Sequence, residues 1–222
     1  MSLSGRMFAA WYPRLMAKTE DAGQRETRAE LLADARGRTL EIGAGSGANL
    51  PHYGPAVTEL TLTEPNPHML TRLLAAVDDA EPSARPRARV LEAGLPRLPF
   101  ADGSFDTVVS TLVLCSVADL PAALEEIARV LAPGGQLLFL EHVRAPEDSR
   151  LGRVQDLLER PHRALGDGCH PNRRTEQAIT GSPLRIDRIH RIDQPMSMPT
   201  VRPAIVGSAR AVGEVDQQRS VV

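Results

Sequence analysis

The sequence has few of the residues that mark a disulfide-bonded, membrane-spanning or nucleic-acid-binding protein. Its 2 cysteines, Cys115 and Cys169, stand in a chain with no secretory signal and no apolar run of membrane-spanning length. This predicts a reduced, cytoplasmic setting and no integral membrane segment. Lys18 is the only lysine, and the arginines form no basic block. Because nucleic acids need a basic surface, we do not expect DNA or structured RNA as partners.

Aromatic residues are also scarce, at 3% of the chain, and Phe8, Trp11 and Tyr12 lie close to its start. Residues 5–35 have the apolar spacing of two helical pieces, and Pro13 should kink or divide the first. This first helix could cover a ligand site, pack against the domain or lie on a membrane surface. The sequence leaves these three alternatives open.

Length and composition favour a single α/β domain. The 222 residues, 42% of them hydrophobic, suffice for one well-buried domain but not for two of ordinary size. Short β-branched or leucine-rich runs alternate with helical or turn segments, at residues 38–42, 59–63, 88–92, 105–114 and 136–141. That alternation predicts a parallel sheet covered by helices on both faces.

The second half of the chain has one clear helix and a looser pattern after it. Asp119 can cap the helix between the fourth and fifth runs, and Pro121 suits its first turn. Beyond residue 145 we expect a helix near 150–165, an irregular segment at 166–182, and strand-like runs at 184–192 and 201–211. The resulting division is a helical cap at 1–36, the main domain at 37–212 and a disordered tail at 213–222.

The most informative segment is a short apolar strand that enters a glycine-rich turn. Gly43, Gly45 and Gly47 remove side chains that would keep a ligand off the backbone, and they permit the positive φ angles of such a turn. A second strand ends at Glu64, whose carboxylate can accept hydrogen bonds from both hydroxyls of a ribose. These features predict a nucleoside cofactor but fit a dinucleotide equally well, so a dehydrogenase stays open at this point.

Three further segments separate these alternatives, at residues 98–106, 107–114 and 129–135. Together with the glycine turn they resemble, in order and spacing, the motifs of class I S-adenosylmethionine-dependent methyltransferases of the type 11 family. The resemblance implies S-adenosylmethionine as cofactor and S-adenosylhomocysteine as product. It also implies a Rossmann-like, seven-stranded, mostly parallel sheet with a C-terminal antiparallel hairpin.

In such a sheet the cofactor binds beyond the carboxyl ends of the strands. We expect the glycine turn to meet the methionine part and the ribose, and Glu41 to orient the turn or approach the ammonium group. Met69 would pack against adenine or belong to a helix core, and backbone atoms of Gly94 and Leu95 would serve the adenine. The predicted cofactor residues are Glu41, Gly43, Gly45, Ser46, Gly47, Asn49, Glu64, Pro65, Asn66, Met69, Ala93, Gly94, Leu95, Thr111 and Leu112.

Four more segments give a closer resemblance, at residues 111–117, 141–143, 167–169 and 202–207. They look like the small thiol S-methyltransferases known in animals and their bacterial relatives. This resemblance implies methyl transfer to a small, apolar acceptor, with a thiol as first choice. Alternatives are O- or C-methylation of a phenol or quinone, N-methylation of a lipid headgroup, and a cofactor-binding scaffold without turnover.

His142 follows the fifth strand at the binding edge of the sheet, and we expect it to act as a base or to orient the acceptor. The predicted acceptor residues are Trp11, Tyr12, Cys115, Asp167, Cys169, His170 and Arg173. The cysteines and histidines have no C-x-x-C or H-x-x-x-H spacing, so the sequence predicts no metal site.

Overall fold

The computed structural model describes residues 19–80, 88–194 and 197–212. The predicted helix around Trp11 and Tyr12 and the predicted tail at 213–222 lie outside the described residues. Within them, the strands are β1 Gly37–Ile42, β2 Val57–Thr63, β3 Ala88–Leu91, β4 Phe105–Thr111, β5 Leu131–His142, β6 Leu184–Asp193 and β7 Pro203–Ala211.

All seven strands form one mixed sheet, in the order β3-β2-β1-β4-β5-β7-β6. Neighbouring strands from β1 to β5 are parallel, whereas β7 runs antiparallel to both β5 and β6. The predicted fold class and closing hairpin are confirmed. The chain order reverses between β1 and β4, and ligands bind at the carboxyl ends of the strands beside such a switch point.

Helices cover the sheet on both faces. A π-helical turn at Glu20–Gln24 leads into α1 Arg25–Leu32, followed by α2 Pro67–Asp78, α3 Leu120–Val130, α4 Arg150–Leu165 and α5 Thr175–Thr180. The cap of α3 is as predicted, because Asp119 Oδ1 accepts a hydrogen bond from Ala122 N at 3.1 Å. No helix of the described residues is long and apolar enough to cross a membrane.

Two predictions about local structure were wrong. The segment 166–182 contains α5, although it was expected to be irregular. The strand predicted at 105–114 ends at Thr111, because the chain turns at Leu112, which has a φ of 62°. Val113 and Leu114 are apolar, and Leu114 is fully buried. The N–H of Val113, however, donates to the carboxylate of Glu141 and not to the backbone of a neighbouring strand.

Beneath the glycine turn, a buried polar network replaces apolar packing. Glu41, on β1, accepts hydrogen bonds from Tyr53 Oη at 2.6 Å and from Asn49 Nδ2 at 2.9 Å. Asn49 also donates to Thr111 Oγ1, at the end of β4, at 3.0 Å. The network therefore ties the segment after the turn to both central strands.

A second buried polar side chain, that of Gln155 on α4, connects three loops, at residues 145, 171 and 200. Its Oε1 accepts from Ala145 N at 2.8 Å, and its Nε2 donates to the carbonyl oxygens of Pro171 and Thr200 at 2.8 and 2.9 Å. Gln155 is completely buried. Three separate loops are thus fixed relative to one helix by a single amide.

We predict that Gln155→Leu, which preserves the side-chain volume, lowers the free energy of unfolding by about 3 kcal/mol or more, because it leaves buried backbone groups without partners. Denaturant titration measures the change. The matched control is the reverse exchange at an exposed position of the same helix, Leu157→Gln, which should alter stability by less than about 0.5 kcal/mol. Equal effects at the two positions would contradict the role assigned to Gln155.

Glu41 should make stability depend on pH. Burial, opposed by the hydrogen bond from Tyr53, raises the pKa of its carboxyl to about 7. The unfolded chain therefore releases this proton at lower pH than the folded chain, and stability falls as pH rises through the interval between the two pKa values. We predict that wild type loses stability relative to Glu41→Gln between about pH 5 and pH 7, by at most about 1.4 kcal/mol per pH unit.

The measurement is denaturant unfolding of both proteins at several pH values. The exposed Glu59→Gln, on β2, is the control and should keep the wild-type profile. Parallel profiles for wild type and Glu41→Gln would show that Glu41 titrates alike in the folded and unfolded states.

Candidate active site

A cavity of about 440 Å³ lies at the carboxyl ends of β1, β2 and β4. We call it the glycine-turn cavity, because residues 42–46 form one of its walls. Glu64 and Pro65 follow β2 into it, and Thr111 and Leu112 close it from β4. The cavity thus occupies the switch point at which open α/β sheets bind their ligands.

The glycine turn presents main chain to the cavity at Gly43 and Gly45. Gly43 and Gly45 have φ angles of 59° and 60°, which residues with a Cβ adopt at a cost. A Cβ on Gly43 would also lie 2.7 Å from Val113 Cγ2. Both the backbone conformation and the close packing therefore require glycine at position 43, and main-chain groups are exposed to a ligand there.

Glu64 is 6% exposed and is the acidic group at the end of β2. Its Oε2 accepts from Gly45 N and its Oε1 from Asn66 N, each at 2.8 Å. Burial raises the pKa of this carboxyl against the effect of the two backbone bonds. Backbone groups therefore supply this buried acid with two donors even without a ribose. A carboxylate has about four lone-pair sites, so both oxygens can still accept from a ligand.

The sequence analysis missed one cation of this cavity. Arg28, on α1, is 4% exposed and lines the cavity together with Glu20. Its Nε donates to Glu20 Oε1 and its Nη1 to Asn49 Oδ1, both at 2.8 Å. Arg28 precedes the buried Leu31 and Leu32 by three and four residues, so helical spacing places it on their face. That spacing was the available signal.

Most predicted cofactor residues line the glycine-turn cavity: Glu41, Gly43, Gly45, Ser46, Glu64, Pro65, Met69, Gly94, Leu95, Thr111 and Leu112. The other four, Gly47, Asn49, Asn66 and Ala93, do not line it, and their direct contact with the cofactor stays a prediction. A Cβ on Gly47 would face Leu50 and the helix α2. The amide of Asn49 is used within the buried network.

The other two lie just outside the wall of the cavity. Asn66 caps α2, since its Oδ1 accepts from His68 N at 3.0 Å and from Met69 N at 3.4 Å. Ala93 precedes the bridge between Gly94 and Arg97 and is not part of the lining. Each therefore supports the fold of a segment whose neighbours reach the cavity.

A second cavity, of about 320 Å³, adjoins the first and shares Leu112, Ser116 and Gly166 with it. We call it the cysteine cavity. Its walls are mainly apolar, with Leu158, Pro161, Leu165, Met198 and Val201 among the lining residues. Among its polar side chains, those of Cys115, His142, Cys169 and Gln194 lie in contact with one another.

The ring of His142 is held in a defined orientation. Its Nε2 lies 3.0 Å from Gln194 Oε1, and because an amide oxygen only accepts, Nε2 carries the proton of the neutral ring. The unprotonated Nδ1 then faces the sulfur atoms of Cys169 at 3.7 Å and Cys115 at 3.9 Å. The two sulfur atoms lie 3.8 Å apart.

These close contacts shift the ionisation of the three groups. Contact with Cys169 and burial raise the pKa of the Cys115 thiol well above its ordinary value, whereas contact with Cys115 lowers the pKa of Cys169. Burial disfavours a charged ring at His142, but contacts with Cys115 and Gln194 outweigh it and raise the pKa of His142. Cys169 is therefore the more acidic of the two thiols.

The structure separates the predicted acceptor residues. Cys115 and Cys169 line the cysteine cavity with His142, but Asp167 lines the glycine-turn cavity. His170 and Arg173 line neither of the two cavities, and their contact with an acceptor stays a prediction. The Nδ1 of His170 pairs with Glu159 Oε1 at 2.9 Å, and Arg173 donates to Val117 O at 2.7 Å. Trp11 and Tyr12 lie outside the described residues.

Comparison with known proteins agrees with this geometry. A family model described as "Methyltransferase domain" matches residues 40–139. The human protein "Thiol S-methyltransferase TMT1B" is 34% identical over 211 residues, which cover 90% of this chain and 86% of the human protein.

Solved structures show the same fold. The [4+2]-cyclase SpnF superposes with a TM-score of 0.73 at 16% identity, over 94% of this chain and 95% of that one. The N-methyltransferase NodS from Bradyrhizobium japonicum, solved with S-adenosylhomocysteine, has a TM-score of 0.61 at 20% identity, over 85% and 87% of the two chains. The chain therefore belongs to the class I S-adenosylmethionine-dependent methyltransferases of the type 11 family.

Proposed function

We propose that the protein methylates the sulfur of a small, apolar thiol, with S-adenosylmethionine in the glycine-turn cavity and the thiol in the cysteine cavity. The observation that carries the proposal is the pair of joined cavities. One is walled by bare backbone and a buried carboxylate, and the other is apolar with sulfur and imidazole groups gathered in one place. The human relative named as a thiol S-methyltransferase supports the choice of acceptor.

The glycine-turn cavity offers a partner for each polar part of the cofactor. Glu64 retains lone pairs for the ribose hydroxyls, and Arg28 retains N–H donors for the carboxylate of the methionine part. Pro65 and Met69 provide apolar surface for adenine, with backbone atoms of Gly94 and Leu95 for its polar edge. When bound, the cofactor supplies an electrophilic methyl group on a positively charged sulfur.

The cysteine cavity suits the acceptor for two reasons. Its apolar walls exclude water and favour an alkyl or aryl group. The cavity therefore desolvates the nucleophile and aligns it with the methyl group. In the neutral ring that donates Nε2–H to Gln194, His142 Nδ1 is free of a proton and lies among the polar groups of the cavity, where it can accept the proton of the thiol. A thiol needs no stronger assistance, because it ionises near neutral pH.

Two ligands and two variants test the cofactor site. We predict that Glu64→Ala weakens binding of both S-adenosylhomocysteine and 5′-methylthioadenosine at least about 100-fold, because both ligands carry the ribose. Arg28→Met should weaken S-adenosylhomocysteine about 10- to 100-fold but leave 5′-methylthioadenosine unchanged, because the second ligand lacks the amino acid. Isothermal titration calorimetry gives the four affinities.

Glu59→Ala is the control for this experiment, because Glu59 is an exposed acid on β2, the strand that Glu64 follows. It should bind both ligands as wild type does. If Glu64→Ala kept its affinity for 5′-methylthioadenosine, the ribose would not be bound where we propose. If Arg28→Met weakened both ligands equally, Arg28 would act on the fold and not on the carboxylate.

An acceptor panel tests the reaction itself. We predict that mass spectrometry detects a methyl thioether from small alkyl and aryl thiols, and little or no product from phenols, quinols and an aminoethyl lipid headgroup. His142→Ala should lower kcat for the thiol at least about 100-fold with little change in S-adenosylhomocysteine affinity.

The exposed His190→Ala serves as the matched histidine control and should retain full turnover. Methylation of a phenol, quinol or headgroup amine in preference to every thiol would overturn the proposed acceptor. Tight cofactor binding without product from any class would support a scaffold without turnover. Unaltered turnover in His142→Ala would remove this residue from the mechanism.

A further inference from the structure

The polar groups of the cysteine cavity converge from three separate segments. Cys115 follows β4, His142 ends β5, and Cys169 precedes α5. Their sulfur and Nδ1 atoms form a nearly equilateral triangle with edges of 3.7, 3.8 and 3.9 Å. The available ligand atoms of the three residues all lie within 4.8 Å of one another.

This triangle has the dimensions of a metal site. With a zinc–sulfur distance of about 2.3 Å and a zinc–nitrogen distance of about 2.0 Å, tetrahedral ligands lie about 3.8 Å apart for two sulfurs and about 3.5 Å for sulfur and nitrogen. The observed edges differ from these values by a few tenths of an ångström. We propose that Cys115, His142 and Cys169 bind one zinc ion whose fourth position opens into the cysteine cavity.

The surroundings of the triangle hold the ligands in place. Histidine ligands of zinc usually donate their other ring N–H to an oxygen, and His142 Nε2 has that partner in Gln194 Oε1. Gln194 is only 2% exposed, and its Nε2 has no partner among the described residues although the side chain lines the cavity. The backbone of Cys115 is fixed as well, since its N–H donates to Glu141 Oε2 at 3.1 Å.

The ligand set and the open position indicate a catalytic rather than a structural metal. Structural zinc sites are closed by four protein ligands, whereas catalytic sites have three and leave one position for water or substrate. Among the described residues, only these three form a group of ligand type and spacing that could hold a metal ion. Thiolate and imidazole ligands favour zinc over magnesium or calcium.

The zinc site deepens the proposed function and rests on it for its substrate. A thiol would bind the fourth position as a thiolate and release its proton to water. Its sulfur lone pair forms the new bond to the methyl carbon, and the pair of the broken bond stays on the cofactor's sulfur. The products are two neutral thioethers. In the zinc-loaded enzyme Nδ1 of His142 binds the metal, so zinc replaces this nitrogen as the group that favours loss of the thiol proton, and the role of His142 as a base applies to the zinc-free protein alone.

The sequence predicted no metal because no local ligand spacing is present. His142 lies 27 residues after Cys115 and 27 residues before Cys169. Only the arrangement of β4 beside β5, together with the loop that precedes α5, brings them together. The proposed zinc site departs from that expectation on geometry alone.

Metal content and cobalt spectroscopy test the proposal on the full chain without any need for turnover. Elemental mass spectrometry should find about one zinc ion per chain in protein purified with zinc present. After removal of zinc, one equivalent of Co²⁺ should give tetrahedral absorption bands and a thiolate charge-transfer band. The chain has only 2 cysteines, so this band identifies Cys115 and Cys169 as ligands.

Cys115→Ser, Cys169→Ser and His142→Ala should each lose the metal, whereas Gln194→Leu should weaken zinc affinity by about 10- to 100-fold. The controls are His162→Ala and His190→Ala. His162 lines the same cavity but lies outside the triangle, and His190 is exposed. Both should keep wild-type zinc content. Thermal unfolding of every variant shows which of them fold, and the cobalt spectrum of wild type does not depend on any variant.

The outcomes distinguish the zinc site from the thiol acceptor. Zinc-free protein that methylates thiols at the same rate with or without a chelator would overturn the zinc site and leave the proposed function intact. A zinc-loaded protein that methylates no thiol would do the reverse. Wild type could also be purified with a disulfide between Cys115 and Cys169. If such protein bound no Co²⁺ after reduction, the zinc site would be overturned.

Discussion

Three buried acidic side chains at the carboxyl ends of parallel strands of one sheet are the constraint on which the rest of this structure depends. Glu41 on β1, Glu64 after β2 and Glu141 on β5 are each at most 6% exposed. A buried carboxylate is costly unless donors surround it, so each one fixes the segment that supplies its donors. Glu64 binds the glycine turn and Glu141 binds the loop after β4. The loops that carry the chemistry are therefore held by acids that perform none.

This arrangement accounts for two cavities of different character on one sheet edge. The loop held by Glu141 runs between them, and its Leu112 and Ser116 belong to both linings. One side receives bare main chain and the Arg28 guanidinium, and the other receives the apolar surface of α4 and the loop before β7. A charged nucleoside and an apolar acceptor could thus occupy adjacent sites without competing for the same surface.

The parts of this structure that could be predicted are those encoded by neighbouring residues. The strands, the capped helix after Asp119 and the glycine turn follow from periodicity and turn chemistry over short stretches. The site is predictable only where it belongs to such a stretch, as with Gly43, Gly45 and Glu64. Arg28 reaches Asn49 across 21 residues, and Cys115 meets Cys169 across 54. Such contacts depend on how the strands are ordered, which no local pattern specifies.

The fold alone does not decide the reaction, because the chain shares it with a [4+2]-cyclase as well as with an N-methyltransferase. A shared fold therefore leaves the reaction to be argued from the residues of the site. In this chain the proposed acceptor site, the cysteine cavity, is formed by α4, the loop after β4 and the segments before α5 and β7, outside the glycine turn and Glu64. The sulfurs of Cys115 and Cys169 and the imidazole of His142 are soft ligands and weak bases, which match a thiol or a zinc ion better than they match a phenol that must be deprotonated. Under the proposed function, the chemistry of the cysteine cavity, more than that of the cofactor site, therefore determines which acceptor is methylated.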